Sequence, residues 1–161
     1  MNKFYSYLLP LFCLLTVFIN RANNNCPLIC VPHGELVDKI TILEIKLEKI
    51  TDEKKLKNVL NELTLLFNIY LNSIVTSQEI ILLKEKLKAI NLTLWEVEDK
   101  LREKENKKQF DEEFISLARC VYITNDKRCE IKRKINLLCD SYLLEEKSYE
   151  EYRTDTDILL P

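Results

Sequence analysis

IILLKEKLKAINLTLWEVEDKL (80–101) is apolar at Ile80, Leu83, Leu87, Ile90, Leu94, Val97 and Leu101. Steps of three and four residues put these positions on one side of a helix, and a strand, with its period of two, cannot produce them. Lys and Glu dominate the positions between, as on a face turned to water. The pattern runs to about Lys107, roughly 45 Å of helix at 1.5 Å per residue. A helix that long must cover its stripe with other helices, and both flanks supply them.

Upstream, VTSQEI (75–80) holds two start signals: Thr76 as cap with Glu79 reaching back, and Val75 packing on Ile80 as a staple. A second helix begins at Thr51-Asp52-Glu53 and is carried by Leu56, Val59, Leu60, Leu63, Leu66, Phe67, Tyr70 and Ile74. The first opens at Gly34-Glu35 after Pro32, with a stripe at Leu36, Ile40, Leu43, Leu47 and Ile50. Val37, Ile42 and Ile45 lie off that stripe, so this helix is apolar around most of its girth and belongs in the middle of a bundle. Downstream, Asp111 caps a fourth helix, Phe110 can staple on Ile115, and Phe114, Leu117, Val121, Ile131, Ile135 and Leu138 follow. The fold class is therefore all-α: an antiparallel bundle of about four amphipathic helices, a long hairpin plus shorter packed helices. The leucine heptads are read as its core before they are read as a coiled coil seeking a partner.

Composition narrows the chemistry. Hydrophobic residues make up 47% of the 161 and charged residues 31%, enough for a packed core in one domain. One glycine, Gly34, excludes glycine-rich phosphate loops and nucleophile elbows. One histidine, His33, excludes helical His-pair metal sites and argues against a Ser-His triad, so no catalytic residue, metal site or cofactor is assigned.

Lys3 precedes the uncharged run Leu8 to Ile19, and Arg21-Ala22-Asn23-Asn24-Asn25 ends it, which is the layout of a signal peptide. The apolar run is short for a bilayer span, yet Tyr5 and Tyr7 extend it, so residues 4–20 also read as a membrane anchor. The organisation expected is a signal or anchor over 1–22, a short lead-in over 23–33, a helical domain over 34–152 and a mobile acidic tail over 153–161. Location is then exported or membrane-anchored, with contact to the membrane only through residues 4–20. Removing 1–22 leaves 22 basic and 26 acidic groups, a net charge of −4, which argues against nucleic acid as a partner. Cys120, Cys129 and Cys139 are read as small core residues, and Cys26 and Cys30 as a candidate loop closure outside the cytoplasm.

The apolar pattern breaks on the fourth helix. Thr124 and Arg128 sit at the centre of its stripe, with Asn125 and Lys132 on the shoulder. An arginine buried there needs a carboxylate, and Asp38 or Glu98 is placed to provide it. Asp38, Glu98, Arg119, Asn125, Arg128 and Lys132 are thus a candidate structural ion-pair cluster or a pocket for an anionic small molecule. A second polar strip runs along Ile115, Arg119, Tyr122, Asp126, Cys129 and Arg133, while Trp95, Asp99 and Arg102 share a side of the third helix. Trp95, Asp99, Arg102, Tyr122, Asp126 and Arg133 form the candidate contact surface, since tryptophan favours interfaces. Asn91-Leu92-Thr93 matches a glycosylation sequon, but it falls in mid-helix.

GELVDKITILEIKLEKI (34–50), LWEVEDKLRE (94–103), LARCVYITNDKRCEIKRKIN (117–136) and EEKSYEEY (145–152) together resemble an uncharacterised bacterial family of short helical proteins, a domain of unknown function. The resemblance spans roughly 29–152 and implies no activity, cofactor or substrate. It implies a start near the GEL motif, which makes the leader a departure, and a glycine where Asp140 stands, which leaves the last helix a poorer cap.

The function expected is a non-catalytic helical interaction or scaffold module, with a protein partner or self-association. The alternative is a small all-α binder or enzyme acting on an anionic metabolite through Arg128 and Lys132. The tail adds one expectation. Lys127 to Lys134 carries five cations against one anion, and Asp140 to Asp157 carries seven anions against two cations. Residues 141–152 should fold back on the fourth helix, anchored by Tyr142, Leu143, Leu144, Tyr149 and Tyr152.

Overall fold

The computed structural model describes residues 27–150, so the leader, residues 23–26 and the acidic end from 151 lie outside the described residues. Four helices follow one another: α1 His33–Lys49, α2 Glu53–Ser73, α3 Gln78–Lys107 and α4 Glu112–Leu138. Among the described residues there is no strand. The all-α bundle read from the sequence is the fold.

α3 and α4 form the long antiparallel hairpin, and α1 lies against both of them and against α2. That central place is what its nearly all-round apolar surface required. Leu36, Val37 and Ile40 of α1 pack with Tyr70 and Ile74 of α2, Ile80, Leu83 and Leu87 of α3, and Ile131 and Ile135 of α4. A smaller cluster of Val97, Leu117 and Cys120, flanked by Leu101 and Val121, closes the distal half of the hairpin. At the hairpin tip Lys108 takes a left-handed conformation (φ 54°), and Lys104 pairs with Asp111 at 2.9 Å and Glu113 at 2.6 Å. Ion pairs tie α1 sideways, Glu44 to Lys84 at 2.6 Å and Lys39 to Glu62 at 3.1 Å.

The helix starts show where local signals decide and where they fail. Asp111 caps α4 as expected, accepting from the Phe114 N–H, and at the expected start of α2 Asp52 is the cap, accepting from the Lys55 N–H. α3 is capped one residue later than expected: Ser77 Oγ, not Thr76, accepts from the Ile80 N–H at 3.2 Å. The Val75 staple is absent, because Val75 is 92% exposed. Phe110 packs edge-on against Phe114, with ring centres 5.2 Å apart. Leu60, read as part of the α2 stripe, stands exposed, since α2 has a backbone neighbour on one side only.

α1 has no capping side chain of its own at Pro32. Its first N–H groups, which a helix leaves unpaired, are satisfied from 102 and 108 residues away. Asn136 Oδ1 accepts from Gly34 at 2.6 Å, and Ser141 Oγ accepts from His33 at 3.2 Å. The closeness needs glycine, because a Cβ at Gly34 would stand 2.4 Å from the Lys132 carbonyl oxygen.

Asp140 follows α4 with φ 48°, the left-handed turn that the resemblance assigns to glycine. Beyond it the tail does return to α4, but the anchors differ from those expected. Glu145 meets Lys132 at 2.7 Å and Glu146 meets Arg133 at 2.9 Å, whereas Tyr142 is 97% exposed and Tyr149 largely exposed. Buried Lys132 provides an anchor that Tyr142 and Tyr149 do not, and Tyr152 lies outside the described residues. Of the helical cysteines only Cys120 is buried in the core; Cys129 and Cys139 are half-buried.

Candidate functional site

One polar network lies where the sequence stripe broke. Asp38 sits on the inner side of α1 with its side chain 1% exposed. Its Oδ1 accepts from Arg128 Nε at 2.9 Å and its Oδ2 from Arg128 Nη2 at 2.5 Å, a two-pronged pair between residues 90 apart in the chain. Asn91 Nδ2 donates to Asp38 Oδ1 at 2.8 Å and to Thr41 Oγ1 at 2.9 Å, and Thr41 Oγ1 donates to the Asp38 carbonyl at 2.8 Å. Arg128 Nη1 donates to Asn125 Oδ1 at 3.2 Å. The Asp38 hydrogen bonds hold the Arg128 guanidinium above its ordinary range, against the pull of burial.

A turn further along α4, buried Lys132 donates to Glu35 at 2.6 Å and reaches Glu145 at 2.7 Å. Burial pulls its ammonium down, but the bonds to Glu145 and Glu35 outweigh that and hold it above the ordinary lysine range. Lys132 thus ties α4 to the start of α1 and to the tail.

Beside the Asp38 network a cleft of about 440 Å³ opens between α3 and α4, floored by α1. Ile42, Ile45 and Leu94 form its apolar part, and Trp95, Glu98, Asp99, Arg102, Asn125 and Arg128 its walls. Trp95 is half-buried there. Arg102 donates to Glu98 at 2.6 Å and to Asp99 at 3.3 Å along one edge. Each arginine of the cleft is therefore already matched by a carboxylate.

The candidate residues separate into three places. Asp38, Asn125 and Arg128 meet in one network. Glu98 lines the same cleft but serves Arg102, so Asp38 rather than Glu98 is the carboxylate partner of Arg128. Lys132 belongs to the tail junction, and exposed Arg119 makes no ion pair with any described residue. Trp95, Asp99 and Arg102 share the cleft, while Asp126 and Arg133 line a separate hollow under the tail, with Tyr122 one turn nearer the start of α4. Asn91, Thr41, Asn136 and the Gly34 contact escaped the sequence reading. Asn91 was legible: it falls on the apolar stripe between Leu87 and Leu94. Among the described residues no group of three or more His, Cys, Asp or Glu side chains is placed to hold a metal ion.

Residues 29–157 match the family model described as "Family of unknown function (DUF6165)". No curated protein and no solved structure matches the chain.

Proposed function

Because the chain belongs to that family of unknown function, its role has to be read from its own geometry, and we propose that it is a helical interaction module whose Trp95 cleft receives a segment of a partner protein or of a second copy. The observation that carries this reading is the pairing of a half-buried tryptophan with an apolar floor and charges that are already matched. Tryptophan in a partly desolvated pocket is the typical anchor of a protein interface. The Arg102 pairs at the edge are exposed and worth only ~0–1 kcal/mol each, so a partner can displace them at little cost. The alternative, an anionic metabolite held by Arg128 and Lys132, has less support. Arg128 is committed to Asp38, and Lys132 to Glu35 and Glu145, so an incoming anion would meet neutralised pairs.

The signal-like pattern of residues 1–22 supports a location outside the cytoplasm or at a membrane face, and the mass of the mature chain tests it: loss of about 22 residues supports cleavage, and an intact terminus supports the anchor. The module reading is tested by a photoreactive amino acid substituted at Trp95 in the producing cell. A discrete protein adduct, absent when the probe stands at exposed Asn58 on α2, is the expected result. Equal labelling from both positions would refute it.

A further inference from the structure

The tail of this protein has a direction. After the turn at Asp140, Glu145 meets Lys132 and Glu146 meets Arg133. Lys147 and Tyr149 then line a hollow of about 350 Å³ together with Cys129 and Asp126. Lys147, two residues past Glu145, hydrogen-bonds to Cys129, three residues nearer the start of α4 than Lys132, so between Glu145 and Lys147 the chain runs back along the helix toward its start.

That course follows the polar strip noted in the sequence. Arg133, Cys129, Asp126, Tyr122, Arg119 and Ile115 succeed one another in steps of four and three, which keeps them on one side of α4. From Asp126 to Arg119 is roughly 10 Å of helix, and about three residues of extended chain cover it. Tyr149 lines the same hollow as Asp126, and a chain that kept this course would bring Glu150 to Arg153 past Tyr122 and Arg119. Arg119 is exposed and makes no ion pair with any described residue, and the arriving segment brings Glu150 and Glu151. Eleven residues follow Glu150, ample to reach Ile115.

We propose that this side of α4 is a docking channel for an extended acidic strand, and that the protein's own C-terminal segment fills it in cis, with Glu150 or Glu151 closing on Arg119. The channel is separate from the Trp95 cleft, which uses Asn125 and Arg128 on another side of α4. Length, direction and charge agree: an anionic segment already latched at Lys132 and Arg133 passes the next cation of the strip. A strand held by side chains rather than backbone bonds can be displaced by another of like composition, which makes the channel exchangeable.

Disulfide trapping in the full chain tests this. One cysteine replaces Glu151, and a second replaces either Arg119 or Lys100, which stands at the same height of the hairpin but on α3. The expected result is at least tenfold faster trapping for Arg119→Cys than for Lys100→Cys, in a species of monomer mass. Equal rates would mean that the tail wanders, and a dimer-mass product would mean that a second copy fills the channel. Either outcome overturns the proposal.

Discussion

Asp38 and Arg128 face each other through two hydrogen bonds, at 2.9 and 2.5 Å, with the carboxylate sealed between α1, α3 and α4. Neither residue stands free in that position. The carboxylate needs the guanidinium and Asn91 to replace water, and the guanidinium needs the carboxylate to offset its own burial. The pair fixes how α1 sits across the hairpin, and through α1 it fixes the floor of the Trp95 cleft.

Arg128→Ala should therefore destabilise the fold by about 3–5 kcal/mol, the usual cost of stranding one member of a buried pair. Glu98→Gln, which touches only an exposed pair, should change stability by less than about 1 kcal/mol. A double-mutant cycle in urea should find strong coupling of Arg128 with Asp38 and none with Glu98. Coupling to Glu98 would show that the partner has been misassigned.

Gly34→Ala should cost about 1–3 kcal/mol, because the new methyl group meets the backbone of α4 and cannot be relieved by turning a side chain. Denaturant midpoints measure it. A neutral substitution would mean that α1 and α4 are less closely packed than the Gly34–Asn136 bond implies.

Asp140→Gly should stabilise by about 0.5–1 kcal/mol, since the left-handed turn after α4 strains any residue with a Cβ, aspartate less than most. The gain would appear in the thermal midpoint with no change in helical content. A loss of stability would show that the Asp140 side chain contributes more than its backbone strain removes.

The tail latch should respond to pH at both ends. Lys132 holds the Glu145 carboxyl below its ordinary range, so this contribution is present above that range and is lost as acid takes the pH down through the depressed value. The raised Lys132 ammonium contributes fully below the ordinary lysine range and loses its contribution as pH climbs through the raised value. The stability difference between wild type and Glu145→Gln should be flat from about pH 5 to pH 10 and shrink beyond either end. A difference that grows on acidification would contradict the latch.

The helices were legible because stripe, caps and dipole charges agreed locally: Asp52, Asp111 and the α3 stripe needed no tertiary knowledge. The Arg128 break was legible as a conflict, since an arginine among Leu117, Ile131 and Ile135 has to be explained. Its partner was not, because Asp38 and Glu98 looked alike until the crossing of α1 was known. The Gly34–Asn136 contact was beyond reach for the same reason: it depends on the distance between two helix backbones, which no periodicity encodes. For the tail, charge counts gave the destination but not the anchor. Tyr142 and Tyr149, which suit a docked segment by composition, stand largely in water, because Lys132 already fixes the chain.

The Trp95 cleft as a protein-binding site is tested most directly by a photoreactive probe at Asp99, on the cleft wall, carried with and without Trp95→Ala. Cross-linking in the producing cell is read beside the unfolding curve of each purified variant. The account predicts that Trp95→Ala removes the adduct while unfolding stays cooperative and the far-ultraviolet spectrum stays helical. An adduct that survives undiminished in a folded Trp95→Ala chain would contradict it.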